Sequence, residues 1–235
     1  MSAKLLMLGL VFTLIFSSTL DAKEKKETHT TPGSAIFVMA PIKEITVTTQ
    51  TLKETNEKGS IDLAYPQVIG LSNQAFENDI NRLIEERVET NYATIKKRMD
   101  TIHHTVPYQF ISTFEVKDTP NNLLTLGFFD YVYTGGTYGV ATQNYLTIDL
   151  DTDEILTLQD LFNSNTYNYQ LKYLVGEQIN GRTQSLTITG DEVFYINKNQ
   201  DLVLVFNVAD VETRGSGILE IILEKQTLED YRFQE

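Results

Sequence analysis

The sequence lacks cysteine altogether and contains only three histidines among its 235 residues. Without cysteine the folded chain has no disulfide bonds, so it cannot belong to the small secreted domains that depend on them. Its stability must come from a hydrophobic core, and the length and the 41% hydrophobic content are sufficient for one. The absence of cysteine also fits a protein of the bacterial envelope or a secreted bacterial protein.

Histidine is too scarce to supply many catalytic or metal-binding groups. His29 lies in a polar N-terminal stretch, while His103 and His104 are neighbours at the end of a predicted helix. Adjacent helical residues project about 100° apart, and a positive charge at a helix C-terminus is favourable. We therefore favour a charge role for this pair over metal ligation. We predict no catalytic residue, no metal site and no cofactor.

Long hydrophobic runs are absent except near the N-terminus. Lys4 precedes an apolar run from Leu5 to Phe16, which is followed by the small residues Ser17 and Ser18. This order is typical of a secretory signal, and the run is short for a membrane of about 30 Å. We expect residues 1–22 to be a signal peptide and residues 23–34 a flexible leader. The mature protein is then extracytoplasmic, periplasmic or secreted, with no membrane span after signal removal.

Basic residues are outnumbered, with 19 Lys and Arg against 32 Asp and Glu and a formal net charge of -13. Nucleic-acid phosphates recruit Lys and Arg, so this balance argues against nucleic acid as a partner. It favours basic partners, or serves solubility alone.

The alternation of apolar residues indicates the secondary structure. A hairpin is predicted around a turn at Asn56–Gly59, and spacings of three and four predict a long helix from about Asn73 to His103. A second helix is expected from Thr166 to Asn180, ended by Gly181. The predicted strands cover residues 108–116, 123–133, 143–150, 155–158, 192–196, 202–207 and 218–223. The fold class is α+β, with antiparallel sheets, one long helix in the first half and one shorter helix in the second.

An acidic segment imitates the spacing of a calcium loop. Asp149, Asp151, Asp153 and Asp160 stand at ligand positions, but Glu154 occupies the place where such a loop requires glycine. We therefore interpret the segment as a tight turn. The many other acids could form chance pairs of the kind that hydrolyse glycosides, and the sequence does not single out any of them.

Tyrosines cluster around a glycine-rich break between two predicted strands. Tyrosine offers a wide contact area with one polar atom, and glycine lets a loop approach a partner closely. The candidate ligand-binding residues are Tyr131, Tyr133, Gly135, Gly136, Tyr138 and Tyr145. The alternative is that the tyrosines pack the sheet and the glycines only turn the chain.

Three segments of the second half resemble the DUF3298 family: 133–139 (Tyr-Thr-Gly-Gly-Thr-Tyr-Gly), 146–150 (Leu-Thr-Ile-Asp-Leu) and 156–162 (Leu-Thr-Leu-Gln-Asp-Leu-Phe). The hairpin and long helix upstream resemble its usual companion, DUF4163. The resemblance implies a DUF4163-like unit at 35–137 and a DUF3298-like unit at 138–235. Tyr138 stands where the family pattern has His, and Asp153 where it has Gly.

This pair of domains is similar to the ectodomains of RsiV-type anti-sigma factors, which sense lysozyme, and to the N-terminal region of PdaC-type peptidoglycan deacetylases. The resemblance implies an exported non-catalytic module that binds or senses a cell-envelope ligand, such as peptidoglycan, or a basic protein such as lysozyme. The alternative is an enzyme acting on peptidoglycan or another envelope polysaccharide.

Overall fold

The computed structural model describes five segments of the chain, residues 44–101, 106–162, 167–179, 188–207 and 218–232. The predicted signal peptide, the leader, all three histidines and the helix-ending Gly181 lie outside these segments. Predictions made for them therefore stay predictions.

The predicted N-terminal hairpin is confirmed. Strand β1 (Thr46–Asn56) pairs with β2 (Gly59–Ile69) in one continuous antiparallel ladder that places Asn56 opposite Gly59. The side chain of Asn56 accepts a hydrogen bond from the N–H of Lys58 at 2.8 Å, which closes the tight turn.

The long helix is confirmed as α1 (Gln74–Thr101). Its first turn is capped by Asn73, whose Oδ1 accepts hydrogen bonds from the N–H groups of Ala75 at 3.1 Å and Phe76 at 3.2 Å. The predicted apolar face is buried at Ile80, Ile84, Ile95 and Met99 and partly buried at Phe76, Val88 and Tyr92, whereas Leu83 is 43% exposed. Its side chain lines a groove between α1 and the sheet, together with Phe128 and Tyr145.

A six-stranded sheet forms the larger part of the fold, in the order β1-β2-β3-β4-β5-β6. Its remaining strands are β3 (Tyr108–Val116), β4 (Leu123–Tyr133), β5 (Val140–Asp149) and β6 (Glu154–Ile155). The predicted strand at 155–158 is only the short β6. Four of the ladders are antiparallel, whereas β2 and β3 are parallel because α1 carries the chain back between them. The α+β class is confirmed.

Helix α1 covers one face of this sheet. Ile80 and Ile84 pack on Leu126 and Phe128 of β4, while Ile95 and Met99 pack on the start of β2 and β3. Because side chains alternate along a strand, the odd-numbered residues of β4 point to the opposite face.

The C-terminal part of the chain forms a smaller antiparallel sheet, β7 (Val193–Ile196), β8 (Leu202–Phe206) and β9 (Leu219–Leu223), in that order. It packs on α2 (Tyr167–Ile179), which follows a 3-10 turn at Gln159–Leu161, and on α3 (Lys225–Arg232). All five residues of β8 are buried, because one face meets the helices and the other meets Tyr145 of the large sheet. Helix α3 was not predicted.

The division of the chain at residues 137 and 138 stays a prediction. Strands β4 and β5, on either side of that position, are paired in the same sheet. Within the described segments, no helix is both long and apolar enough to cross a membrane.

Candidate functional site

The connection between β4 and β5 carries most of the candidate residues. Gly135 and Gly136 have φ angles of 98° and 103°, a left-handed backbone that disfavours any residue with a Cβ. The glycines are therefore required by the path of the loop.

Two tyrosines of β4 contact this loop from the face of the sheet opposite α1. The hydroxyl of Tyr133 donates a hydrogen bond to the carbonyl of Gly136 at 3.0 Å. The ring of Tyr131 lies on Gly139 so closely that a Cβ there would stand 2.3 Å from its Cζ. Tyr133 and Tyr131 thus contact the two ends of the glycine segment and support the loop, which we call the platform.

Tyr138 projects from the tip of this platform and is 86% exposed, the highest exposure among the large hydrophobic residues that the structure describes. Tyr131 itself is 37% exposed, and its cross-strand partner Ile111 on β3 is 43% exposed. We call Ile111, Tyr131, Tyr133 and Tyr138 the tyrosine patch. Ile111 was missed by the sequence analysis, because the register between β3 and β4 cannot be read from the sequence.

Tyr145 lies apart from the tyrosine patch. It stands opposite Gly127, four residues from Tyr131 along β4, which is about 13 Å. Its ring packs on Tyr195 of the small sheet with centroids 4.7 Å apart, and its hydroxyl donates to Gln143 at 2.9 Å. Burial between the two sheets raises the pKa of Tyr145 to about 12.

The strand beneath the patch is anchored to α1 through Asp130. On the covered face, Oδ2 of Asp130 accepts a hydrogen bond from Arg87 at 2.7 Å, and Oδ1 accepts one from Ser112 at 2.6 Å. The guanidinium of Arg87 also lies 4.8 Å from the centre of the Phe128 ring. This half-buried network joins α1, β3 and β4 where the patch begins.

The acidic segment after β5 forms a tight turn, as predicted. Oδ1 of Asp149 accepts hydrogen bonds from the N–H groups of Asp151 at 2.8 Å and Thr152 at 3.2 Å, and Asp153 has a φ of 56°. Asp160 instead accepts hydrogen bonds from Thr157, which lowers the pKa of its carboxyl. In the parts of the chain that the structure describes, no three His, Cys, Asp or Glu residues are grouped so that they could hold a metal ion.

Comparison with known proteins gives two matches in sequence. A family model described as "Deacetylase PdaC" matches residues 52–141, which run from β1 to the start of β5. The anti-sigma-V factor RsiV of Bacillus subtilis (strain 168) is 25% identical over 193 residues. That match covers 73% of this chain and 65% of the relative, so the chain corresponds to less than two thirds of RsiV.

Two solved structures share the fold. A member of the DUF3298 family from Bacteroides fragilis NCTC 9343 superposes with a TM-score of 0.58 at 17% identity, over 80% of this chain and 93% of that one. A DUF3298 family protein from Pseudomonas aeruginosa PAO1 gives the same TM-score and the same coverages at 10% identity. The resemblance to DUF3298 is thus confirmed at the level of the fold, and the DUF4163 assignment stays a prediction.

Proposed function

We propose that this chain is an exported, non-catalytic binding module whose ligand is a basic protein of the lysozyme type. The observation that carries the proposal is the similarity to the anti-sigma factor RsiV, because it extends over 73% of the chain. In this proposal residues 1–22 direct export, and the folded part of the chain contacts the ligand.

The tyrosine patch is the contact surface that supports this proposal. Exposed aromatic side chains on a rigid support lose little entropy on binding and often dominate the energy of an interface. Tyr138 is free to insert into a partner, while the contacts of Tyr133 with Gly136 and of Tyr131 with Gly139 hold the loop in place. Tyr145 contributes by fixing the small sheet against the large one.

Charge supports a basic partner over an acidic polymer. The chain carries a formal net charge of -13, and a field of that sign raises the rate at which cationic proteins arrive. The aromatic surface would then determine how long the complex lasts, since most effects of interface mutations are on dissociation.

The experiment that tests this proposal is a kinetic measurement of the mature chain over immobilised lysozyme. Tyr138→Ala should raise the dissociation rate by about thirtyfold, the effect of losing an interface anchor of about 2 kcal/mol. Tyr169→Ala is the matched control, because Tyr169 is 72% exposed on α2 and lies outside the patch. Equal dissociation rates for the two variants would remove the patch from the interface, and no binding by the parent would refute the lysozyme proposal.

An enzyme acting on peptidoglycan is the second candidate, and the description of the matching family model favours it. Purified peptidoglycan incubated with the chain should then release acetate or new reducing ends in proportion to protein concentration. We expect neither product above the buffer background, because the proposed role of the chain is binding.

A further inference from the structure

Strands β2 and β3 form a V-shaped opening in the large sheet. They pair in parallel only as far as Leu63 and Ser112, and both strands continue beyond that point without pairing to each other. The opening is a groove with a volume of 590 Å³. It is lined mainly by apolar side chains, among them Ile45, Val47, Ala64, Phe114, Val116 and Leu124.

The β3 side of this groove presents open backbone groups. Alternate residues of a strand direct their N–H and C=O groups to opposite neighbours. The N–H of Tyr108 donates to the carbonyl of Lys58 at 2.8 Å, so the even-numbered residues of β3 face β2. The N–H of Lys117 donates to Thr125 at 2.9 Å, so the odd-numbered residues face β4. Phe114 and Val116 therefore direct their backbone groups into the groove, where no other described residue bonds to them.

The β2 side is closed to a further strand. By the same alternation, Pro66 and Val68 face the groove, and proline has no N–H to donate. The side chain of Asn81 on α1 occupies the groups of Val68: Oδ1 accepts from its N–H at 2.8 Å, and Nδ2 donates to its carbonyl at 2.8 Å. The β2 edge of the groove therefore offers no free N–H group at Pro66 or Val68, whereas the β3 edge offers those of Phe114 and Val116.

We propose that the groove binds an extended peptide segment of a partner protein, which adds to β3 as a strand and places aliphatic side chains into the opening at alternate positions. Strand addition uses main-chain hydrogen bonds for affinity and pockets for specificity, and the open edge and the apolar lining provide both. A helix or a lipid chain would leave the groups of Phe114 and Val116 unsatisfied. This site is separate from the tyrosine patch and does not depend on the lysozyme proposal.

Amide hydrogen exchange in the complete chain gives the first test. The N–H groups of Phe114 and Val116 should exchange rapidly, while those of Glu115 and Lys117, bonded to β4, should exchange slowly. If Phe114 and Val116 are already protected without any addition, the groove is filled by the chain itself and the proposal is wrong.

The second test adds a probe, a lysine-flanked Val-Thr-Val-Thr-Val peptide that is acetylated and amidated at its ends. It should slow exchange at Phe114 and Val116, and the same peptide with N-methyl groups on one edge should not. Val116→Pro removes one N–H that β4 does not use, and should weaken binding about fivefold, the effect of one net hydrogen bond. Val116→Thr keeps the N–H and should bind within about twofold of the parent, well below the effect of one net hydrogen bond.

Ala64→Leu provides an independent variant, because it fills the groove without changing the backbone of β3. Ala64→Leu should also lower the affinity for the probe peptide, and this result does not depend on whether Val116→Pro folds. Equal binding of the methylated and unmethylated peptides, or no binding of either at millimolar concentration, would overturn the proposal.

Discussion

A buried carboxylate ties the start of α1 to the preceding connection. Glu77 is 6% exposed, and its Oε2 accepts hydrogen bonds from the N–H groups of Gly70 at 2.6 Å and Leu71 at 2.9 Å. Glu77 is an acidic residue in the first turn of α1, where the helix dipole favours anions, but its main role is to satisfy two buried donors.

Glu77→Ala should lower the free energy of unfolding by about 3 kcal/mol, because two buried N–H groups lose their acceptor. Glu89→Ala, an exposed glutamate of the same helix, should change it by less than about 0.5 kcal/mol. Urea unfolding of the two variants measures both values. Equal effects would show that the contacts of Glu77 do not contribute to stability.

Tyr145 makes stability depend on pH at the alkaline end. Burial raises its pKa to about 12 from an ordinary value near 10, so the fold favours the protonated phenol. The stability from this group is complete below about pH 10 and is lost as pH rises towards 12, because the unfolded chain releases its proton first. Tyr145→Phe should make the melting temperature fall less steeply between pH 10 and 12. An unchanged slope would show that the phenol is not perturbed by burial.

At the scale of elements, the orientation of α1 is set by which apolar residues meet the sheet. Ile84 is 2% exposed and Leu83 is 43% exposed, although both belong to the predicted apolar face. Ile84→Asp should destabilise the fold by at least about 3 kcal/mol, since it buries an unpaired charge. Leu83→Asp should cost less than about 1 kcal/mol, as is usual at a solvent-accessible position. Chemical denaturation of the two variants measures both free energies of unfolding. Similar losses of stability would mean that α1 is rotated about its axis relative to the structure described.

Most of the elements could be predicted because their apolar residues recur with a clear period. The parallel ladder of β2 with β3 could not, because alternation shows which face a strand buries and not which strand lies beside it. Helix α3 was not predicted because Lys225–Arg232 spans only eight residues and has few apolar side chains, with Leu228 as its buried apolar anchor.

The sequence indicated that tyrosines cluster around a glycine-rich break between two strands, and the connection between β4 and β5 lies there. The role of these residues in ligand binding stays a prediction. The position of Ile111 beside Tyr131 and the burial of Tyr145 under the small sheet depend on register and on packing between distant segments. Neither is encoded in local sequence pattern.

At the scale of the whole molecule, the chain combines a large negative net charge with an exposed aromatic surface, the tyrosine patch. The net charge of -13 acts over a distance, whereas the tyrosine patch acts only on contact. The two contributions should therefore respond differently to salt. The Debye length falls from about 10 Å at 0.1 M salt to about 3 Å at 1 M. High salt therefore screens the attraction due to net charge and leaves the contacts of the tyrosine patch unchanged.

The proposal that the chain binds a basic protein can be tested by calorimetric titration of the mature chain with lysozyme at low and at high salt. We expect a saturable complex at low salt and weaker affinity at high salt, with a further loss of affinity for Tyr138→Ala at both. A titration at low salt that produces no heat and no complex would contradict the proposal.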